Sequence, residues 1–211
     1  MGFGMVLSFR QHVCLLSCVF AGLLMLSACS VPKQINTKAK EQVLIVSTQE
    51  QKMLFLEDGI EVERYLISTA KNGLGDAPDS YKTPAGLLEV TEKFGDGFPL
   101  GSVLKDRQAT GEIIPVDAPG RDPIVSRILW LRGLEETNRN AYERFIYIHG
   151  TPQESLLGTP VSFGCIRMRS NDIIVLYERI QAGAKVWVGE ESIDDAKLRW
   201  LAEQKSHTAF Q

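Results

Sequence analysis

Two apolar runs joined by an Asp-Gly pair limit the possible folds of this chain more than any other feature. The runs are "KMLFL" and "IEVERYLIST", and "QVLIVSTQ" precedes them from Gln42. An Asp-Gly pair flanked by apolar runs is a strong signal for a β-hairpin with a tight turn. Asp58-Gly59 is such a pair, so the sequence predicts a domain that begins with strands.

Further strands and one central helix are predicted downstream. The Gly/Pro-rich stretch "GLGDAPDSYKTPAGLLEV" predicts a loop that leads into a strand over about residues 87–92. "RFIYIHG" predicts a buried strand that ends at His149, and "KVWV" predicts a last strand. The fold class that follows is mostly β with one central helix.

The central helix is expected in "SNDIIVLYERIQAGA". Ser170 is a plausible N-cap and Gly183 a plausible end. One face of this helix is apolar and comprises Ile173, Leu176, Tyr177 and Ile180. The chain is then expected to close with a polar helical tail over 190–211, capped by Ser192 with Asp195 three positions on.

The N-terminal segment has the layout of an export signal. Arg10 precedes an apolar run of about 14 residues, shorter than the ~20 that span a bilayer, which favours a secretory signal over a membrane anchor. Leu26-Ser27-Ala28-Cys29 resembles the processing box of bacterial lipoproteins, in which the cysteine is lipidated. We expect a signal peptide over 1–28, a lipidated Cys29 with a polar tether over 29–41, and a domain over 42–189. A signal peptide cleaved without lipidation is the alternative.

Processing at Cys29 would leave Cys165 as the only other cysteine, since Cys14 and Cys18 lie in the signal. Exported domains usually use cysteines in pairs, so a single thiol is more easily explained if it reacts. His149 precedes it by 16 residues and is the one histidine outside the signal and the tail. An imidazole, or the N-terminus of the helix that follows Cys165, would lower the pKa of the thiol and supply thiolate.

These residues predict nucleophilic catalysis in which Cys165 attacks and His149 acts as general base and acid. Gly164 would allow a sharp turn and direct nearby amides at an oxyanion, and Arg167 would bind a carboxylate. Each residue also has an ordinary structural interpretation: a buried cysteine, a core histidine and a surface salt bridge.

A lid is predicted over 93–140, because an insertion of this length in a compact domain is often functional. Its apolar part, 126–138, is expected to pack beside Cys165, with Trp130 in contact with substrate. The alternative is that Trp130 fills the core. The net charge of −3, without a basic cluster, argues against nucleic acid as a partner.

The region "HGTPQESLLGTPVSFGCIRMRSNDIIVLYERIQAGAKVWV" resembles the L,D-transpeptidase catalytic domain, the YkuD-type domain. The matching motifs are the His149-Gly150 pair, the G-x-P-x-S approach from Gly158 to Ser162, and S-x-G-C-I-R-M from Ser162 to Met168. Upstream, "KTPAG" (82–86) matches the T-P-x-G turn of the family, so that the resemblance covers about 42–188.

The resemblance implies a YkuD-like β-sandwich or barrel and an enzyme that needs neither cofactor nor metal. Cys165 would attack the third-residue carbonyl of a peptidoglycan stem peptide and form a thioester, and the backbone carbonyl of Gly150 would orient His149. Gly164 would shape the oxyanion region, and Ser162 and Arg167 would contact substrate.

The thioester would then be attacked by an amine, which could belong to a second stem peptide, a wall-anchored protein or a free D-amino acid. Attack by water instead would make the enzyme an L,D-carboxypeptidase. The expected location is the periplasm, with a lipid anchor in the outer membrane rather than the inner. One departure is Phe163, where many members have histidine. A phenylalanine side chain cannot titrate. The competing hypothesis, that the protein is a catalytically inactive wall-binding module, therefore stays open.

Overall fold

The computed structural model describes residues 39–208. The predicted signal, Cys29 and nearly all of the predicted tether lie outside these residues. Within them are two α-helices, α1 (Ser170–Arg179) and α2 (Ile193–Thr208), and two 3-10 turns, Glu136–Asn138 and Glu154–Leu156. The strands are β1 (Gln42–Ser47), β2 (Lys52–Glu57), β3 (Ile60–Ser68), β4 (Gly86–Phe94), β5 (Ser102–Lys105), β6 (Gln108–Ile113), β7 (Val125–Gly133), β8 (Tyr147–Thr151), β9 (Ile166–Arg169) and β10 (Lys185–Gly189).

Eight of these strands close into a barrel-like ring. Their order is β4-β10-β1-β2-β3-β9-β8-β7, and β4 also pairs with β7, which joins the two ends. The β5–β6 hairpin extends the sheet from β7. Most neighbours are antiparallel, but β1 pairs with β10 and β8 pairs with β9 in parallel. The predicted mostly β fold class is confirmed.

The predicted hairpin is present at Asp58-Gly59, between β2 and β3. Both residues have positive φ, 50° and 75°, as the tight turns of two-residue hairpins require. β1 and β2 are buried on both faces, which explains their unbroken apolar sequences. Leu44 and Phe55 belong to the main core inside the ring, whereas Val43 and Leu54 pack outside it with Ile193 of α2.

Both helices form, but α1 is bounded differently from the prediction. Ser170 is its first residue rather than its N-cap, because Glu154 Oε1 accepts the Ser170 N–H at 2.8 Å and takes the capping role. The helix ends at Arg179, before Gly183. Lys93 Nζ donates to the carbonyls of Tyr177 and Ile180 at that end.

The predicted apolar face of α1 lies in the main core. α2 begins as expected, with the Asp195 N–H donating to Ser192 Oγ at 3.2 Å. No helix within residues 39–208 is both long and apolar enough to cross a bilayer.

The prediction of a lid over 93–140 is wrong for its apolar part. Residues 125–133 are strand β7, which pairs with β4 on one side and β8 on the other. Seven consecutive residues of β7, from Val125 to Leu131, are buried. Because both faces of β7 are buried, its sequence is apolar throughout. It therefore lacks the alternation of apolar and polar residues by which a half-buried strand is recognised.

Candidate active site

The parallel pairing of β8 with β9 brings His149 and Cys165 together. His149 is in register with Arg167, and Ile148 with Ile166, so Cys165, just before β9, lies one strand away from β8. Side chains alternate along a strand, which puts His149, Cys165 and Arg167 on one face. Because neighbouring strands of a sheet lie about 4.8 Å apart, the two side chains are close neighbours on that face.

Cys165 is a free, partly exposed thiol held by backbone groups. Its Sγ accepts the Tyr147 N–H at 3.4 Å and lies 3.4 Å from the Phe145 carbonyl oxygen, to which the S–H donates. Burial in this pocket raises the pKa of the thiol to about 11, although the Tyr147 amide and the charges of Arg167 and Arg144 act in the opposite direction. The resting thiol is therefore protonated at neutral pH.

His149 is buried, and one backbone carbonyl fixes its ring. Nδ1 lies 2.9 Å from the Gly150 oxygen, so Nδ1–H donates there and Nε2 keeps its lone pair. Burial lowers the pKa of His149 to about 4; the Gly150 hydrogen bond opposes this shift, while the positive charge of Arg167 adds to it. The imidazole is accordingly neutral and available as a base over a wide pH range.

The expected lowering of the thiol pKa is therefore wrong for the resting structure, in which both groups are neutral. The helix N-terminus does not reach the thiol, because β9 separates Cys165 from α1 and Glu154 takes the Ser170 amide. The arrangement fits a base that takes the thiol proton during attack rather than a preformed ion pair.

Gly164 makes the turn that presents Cys165. Its φ is +126°, and a Cβ there would lie 3.2 Å from Ile146 Cδ1 and 3.4 Å from the Lys82 oxygen. Thr83 Oγ1 donates to the Gly164 carbonyl at 3.0 Å and accepts the Ala70 amide at 3.0 Å. The "KTPAG" segment therefore supports this turn.

Ser162 braces the same turn and does not face the cavity. Its side chain is 0% exposed, and Oγ donates to the Cys165 carbonyl at 2.5 Å and accepts the Gly164 amide at 3.3 Å. The expectation that Ser162 contacts substrate is corrected, since full burial prevents it. The Gly164 amide is also occupied, so the amide of Cys165 remains as a candidate oxyanion donor at this turn.

Arg167 is engaged within the protein. Its Nη1 lies 2.7 Å from Asp122 Oδ2, and the two side chains are only 11% and 13% exposed. Thr151 Oγ1 donates to the other oxygen of Asp122 at 2.5 Å. The expectation of a guanidinium free to bind a substrate carboxylate is corrected, because Asp122 already occupies it.

Two charged residues that act on the candidate catalytic pair were missed by the sequence prediction. Asp122 lies in a stretch with no motif, and its negative charge raises the pKa of His149. Arg144 is paired with Asp76 at 2.8 Å, both almost buried, and its Nη2 donates to the Lys82 carbonyl at 2.7 Å. Since their partners are distant in sequence, no local pattern could have revealed them.

Trp130 belongs to the wall behind the thiol. It is 7% exposed and stacks on Tyr142, with ring centroids 4.1 Å apart, and on Phe145, at 5.6 Å. Its Nε1–H donates to the Tyr142 carbonyl at 3.1 Å. The expectation that Trp130 contacts substrate from a lid is corrected in favour of the core alternative, because β7 holds it in the sheet.

Cys165 opens into a cavity of about 410 Å³, here called the thiol cavity, lined also by Tyr81, Arg144, Phe145 and Phe163. Phe163 is 60% exposed at its mouth. Its ring meets Tyr81 edge-on at 6.0 Å, and Lys71 Nζ lies 4.7 Å above it. Among the described residues, no group of three or more His, Cys, Asp or Glu side chains is placed to hold a metal ion.

Comparison with known proteins shows which family this chain matches. Residues 41–188 match the L,D-transpeptidase catalytic domain family, YkuD. A curated relative, the probable L,D-transpeptidase ErfK/SrfK of Salmonella typhimurium strain LT2, is 24% identical over 180 residues, which are 81% of this chain and 53% of the relative. The chain thus spans about half the length of that relative.

Solved structures with a similar fold include two bacterial proteins. Bdellovibrio bacteriovorus Bd1075 has a TM-score of 0.50 at 16% identity, over 82% of this chain and 58% of that one. L,D-transpeptidase 3 from Mycobacterium tuberculosis, in complex with a faropenem-derived adduct, has a TM-score of 0.47 at 22% identity, over 72% of this chain and 61% of that one. Since the family match runs from β1 almost to the end of β10, the chain belongs to the L,D-transpeptidase catalytic domain family.

Proposed function

We propose that this protein is a cysteine-dependent L,D-transpeptidase that acts on peptidoglycan stem peptides. The observation that carries the proposal is the thiol of Cys165, which opens into a cavity beside a buried His149 whose Nδ1–H is bound by the Gly150 carbonyl. A neutral imidazole oriented in this way has its lone pair on Nε2. The chain thus combines a nucleophile, a base and an orienting group.

In the proposed reaction, Cys165 Sγ attacks the third-residue carbonyl of a stem peptide while His149 Nε2 takes the thiol proton. The backbone amide of Cys165, which the described residues leave free at this turn, stabilises the resulting oxyanion. The intermediate collapses to a thioester as the C–N bond breaks, and the imidazolium returns its proton to the departing D-amino acid.

A second amine then attacks the thioester, gives up its proton through His149 and releases the Cys165 thiol. The acceptor amine is supplied by a second stem peptide, a wall-anchored protein or a free D-amino acid. Water in its place would give L,D-carboxypeptidase activity from the same acyl-enzyme. An inactive wall-binding module is the competing hypothesis, and Phe163 is the feature in its favour.

The test is incubation of the purified domain with a tetrapeptide stem and a labelled D-amino acid, followed by mass spectrometry. Exchange of the terminal residue by the wild type and its loss in Cys165→Ser support the proposal. A carbapenem should add its mass to the wild type and not to Cys165→Ser. A folded wild type that forms neither an exchange product nor an adduct would instead favour the binding module.

We also propose that the chain is exported and lipidated at Cys29, which would place the domain in the periplasm on a membrane surface. Stable anchoring requires two or more lipid signals, and lipoprotein processing supplies several acyl chains. Ser30 follows the lipid site, a residue compatible with sorting to the outer membrane. Cys29→Ala should move the protein from membrane to soluble fractions, and continued sedimentation with membranes would contradict lipid anchoring.

A further inference from the structure

A second cavity of about 550 Å³ shares Phe145 as a lining residue with the thiol cavity. Phe145 and Tyr147 line it, and the backbones of these two residues are the groups that contact Cys165 Sγ. The cavity is therefore adjacent to the reacting atom, although the thiol itself opens into the thiol cavity. We call it the basic cavity, for the three cations among its lining residues: Lys105, Arg107 and Arg121.

Arg107 is fixed in place by aromatic rings. Its guanidinium carbon lies 4.8 Å from the centroid of Trp130, and Nη1 donates to the Tyr147 hydroxyl at 3.3 Å. A guanidinium has five N–H groups, and this is the single hydrogen bond that its side chain makes within residues 39–208. It is thus oriented in advance, with donors left for a ligand.

The charges around the cavity are mostly positive. The side chain of Lys105 makes no hydrogen bond or ion pair in the described part of the chain, Arg121 pairs with Glu112, and Asp106 is the one acid among the lining residues. The remaining wall is largely apolar and includes Val103, Leu104, Ile124 and Ile128. A guanidinium held in place, with a second cation nearby and an apolar pocket beneath, suits a carboxylate on an aliphatic chain.

We propose that the basic cavity holds the acceptor: an amino acid or peptide with a free carboxylate and an amine several bonds away on its side chain. This inference rests on the proposed function, in which the donor acylates Cys165 from the thiol cavity. Arg107 binds the hydroxyl of Tyr147, whereas the thiol contacts the backbone amide of Tyr147. A whole tyrosine side chain therefore separates the carboxylate site from the thioester, and the acceptor must span a similar distance.

The experiment compares two acceptors that differ only in charge, Nα-acetyl-D-lysine and Nα-acetyl-D-lysinamide, on enzyme acylated by a tetrapeptide stem. Wild type should use the acid with kcat/KM about tenfold higher than the amide, the scale of one charged hydrogen bond. Lys105→Gln and Arg107→Gln should bring this ratio towards one. Lys52→Gln on β2, which removes a cation remote from the basic cavity, is the matched control and should retain the wild-type ratio.

Adduct formation on Cys165, followed by mass, separates this inference from the proposed function. If the wild type is not acylated, the proposed function itself fails. If it is acylated but uses both acceptors equally, uses neither, or keeps its preference in both cavity variants, the acceptor site is wrong. Because the ammonium group of Lys105 has no partner among the described residues, its substitution tests the site even if Arg107→Gln disturbs the aromatic rings.

Discussion

Thr83 and Gly164 lie 81 residues apart in sequence and are joined by a single hydrogen bond, from Thr83 Oγ1 to the Gly164 carbonyl at 3.0 Å. The same hydroxyl accepts the Ala70 amide. Through these two contacts the "KTPAG" segment holds the turn on which Cys165 is presented. A part of the sequence with no reactive group therefore determines where the nucleophile lies.

Thr83→Val should lower both stability and activity. The substitution keeps the shape of the side chain but leaves the buried Gly164 carbonyl and Ala70 amide without partners, at a cost of about 1–3 kcal/mol. Acylation of Cys165 should also slow, because the turn loses its support. Urea unfolding and adduct formation measure the two effects. Thr83→Ser retains the hydroxyl and is the control; equal losses in both variants would contradict the role of this hydrogen bond.

The Cys165 thiol should lose its proton only at high pH. Burial raises the pKa of Cys165 to about 11, from an ordinary value of 9.0, so thiolate remains scarce at neutral pH. The rate of alkylation by iodoacetamide should rise about tenfold per pH unit through neutral and mildly alkaline pH. A rate that is already constant below pH 9 would indicate a thiolate–imidazolium pair and overturn the neutral resting state.

His149 should make the fold sensitive to mild acid. Its pKa is lowered from 6.5 to about 4, because the buried ring resists a charge that the unfolded chain accepts freely. As the pH falls from about 6.5 to about 4, the unfolded state takes up a proton that the folded state does not, and the free energy of unfolding should drop by about 3 kcal/mol.

Urea unfolding at several pH values within this window measures the drop. Glu57 and Glu61, whose pKa values lie at about 2 because arginine hydrogen bonds stabilise their charged forms, lose their contribution mainly below pH 4.5. The stability lost through Glu57 and Glu61 therefore falls largely below the pH range in which His149 acts. His149→Gln cannot titrate and should remove the dependence between about 6.5 and 4; an unchanged loss in that variant would assign it to other groups.

Trp130→Ala should destabilise the protein by about 3–5 kcal/mol, as for other buried aromatic truncations. Its ring supports Phe145, whose carbonyl accepts the thiol S–H, so acyl transfer and hydrolysis should fall together. Trp130→Phe should lose less. Thermal unfolding and the product ratio test this expectation. Near-normal melting with more hydrolysis would restore the lid hypothesis that the structure replaces.

Local sequence patterns predicted the parts of the fold that local chemistry determines. Asp58-Gly59 forms the expected turn because both positions need positive φ, and Ser192 caps α2 through contacts within one turn. Gly164 makes the expected sharp turn before Cys165, with a φ of +126°.

Features that depend on distant partners were not predictable in this way. β7 lacks alternation because both of its faces are buried, so its sequence did not distinguish a strand from a lid. Asp122 becomes important only when the fold brings it to Arg167. The pKa of Cys165 depends on burial by several separate elements, which no spacing in the sequence conveys.

The parallel pairing of β1 with β10 has a consequence for the order of folding. The first strand of the domain has the last strand as its neighbour, with Val43 in register with Lys185, so the ring cannot close until nearly the whole chain is present. Contacts of such long range must overcome the loss of chain entropy before they stabilise anything, which slows folding. A chain that emerges N-terminus first would thus keep Cys165 outside its pocket, as an ordinary reactive thiol, until β10 arrives.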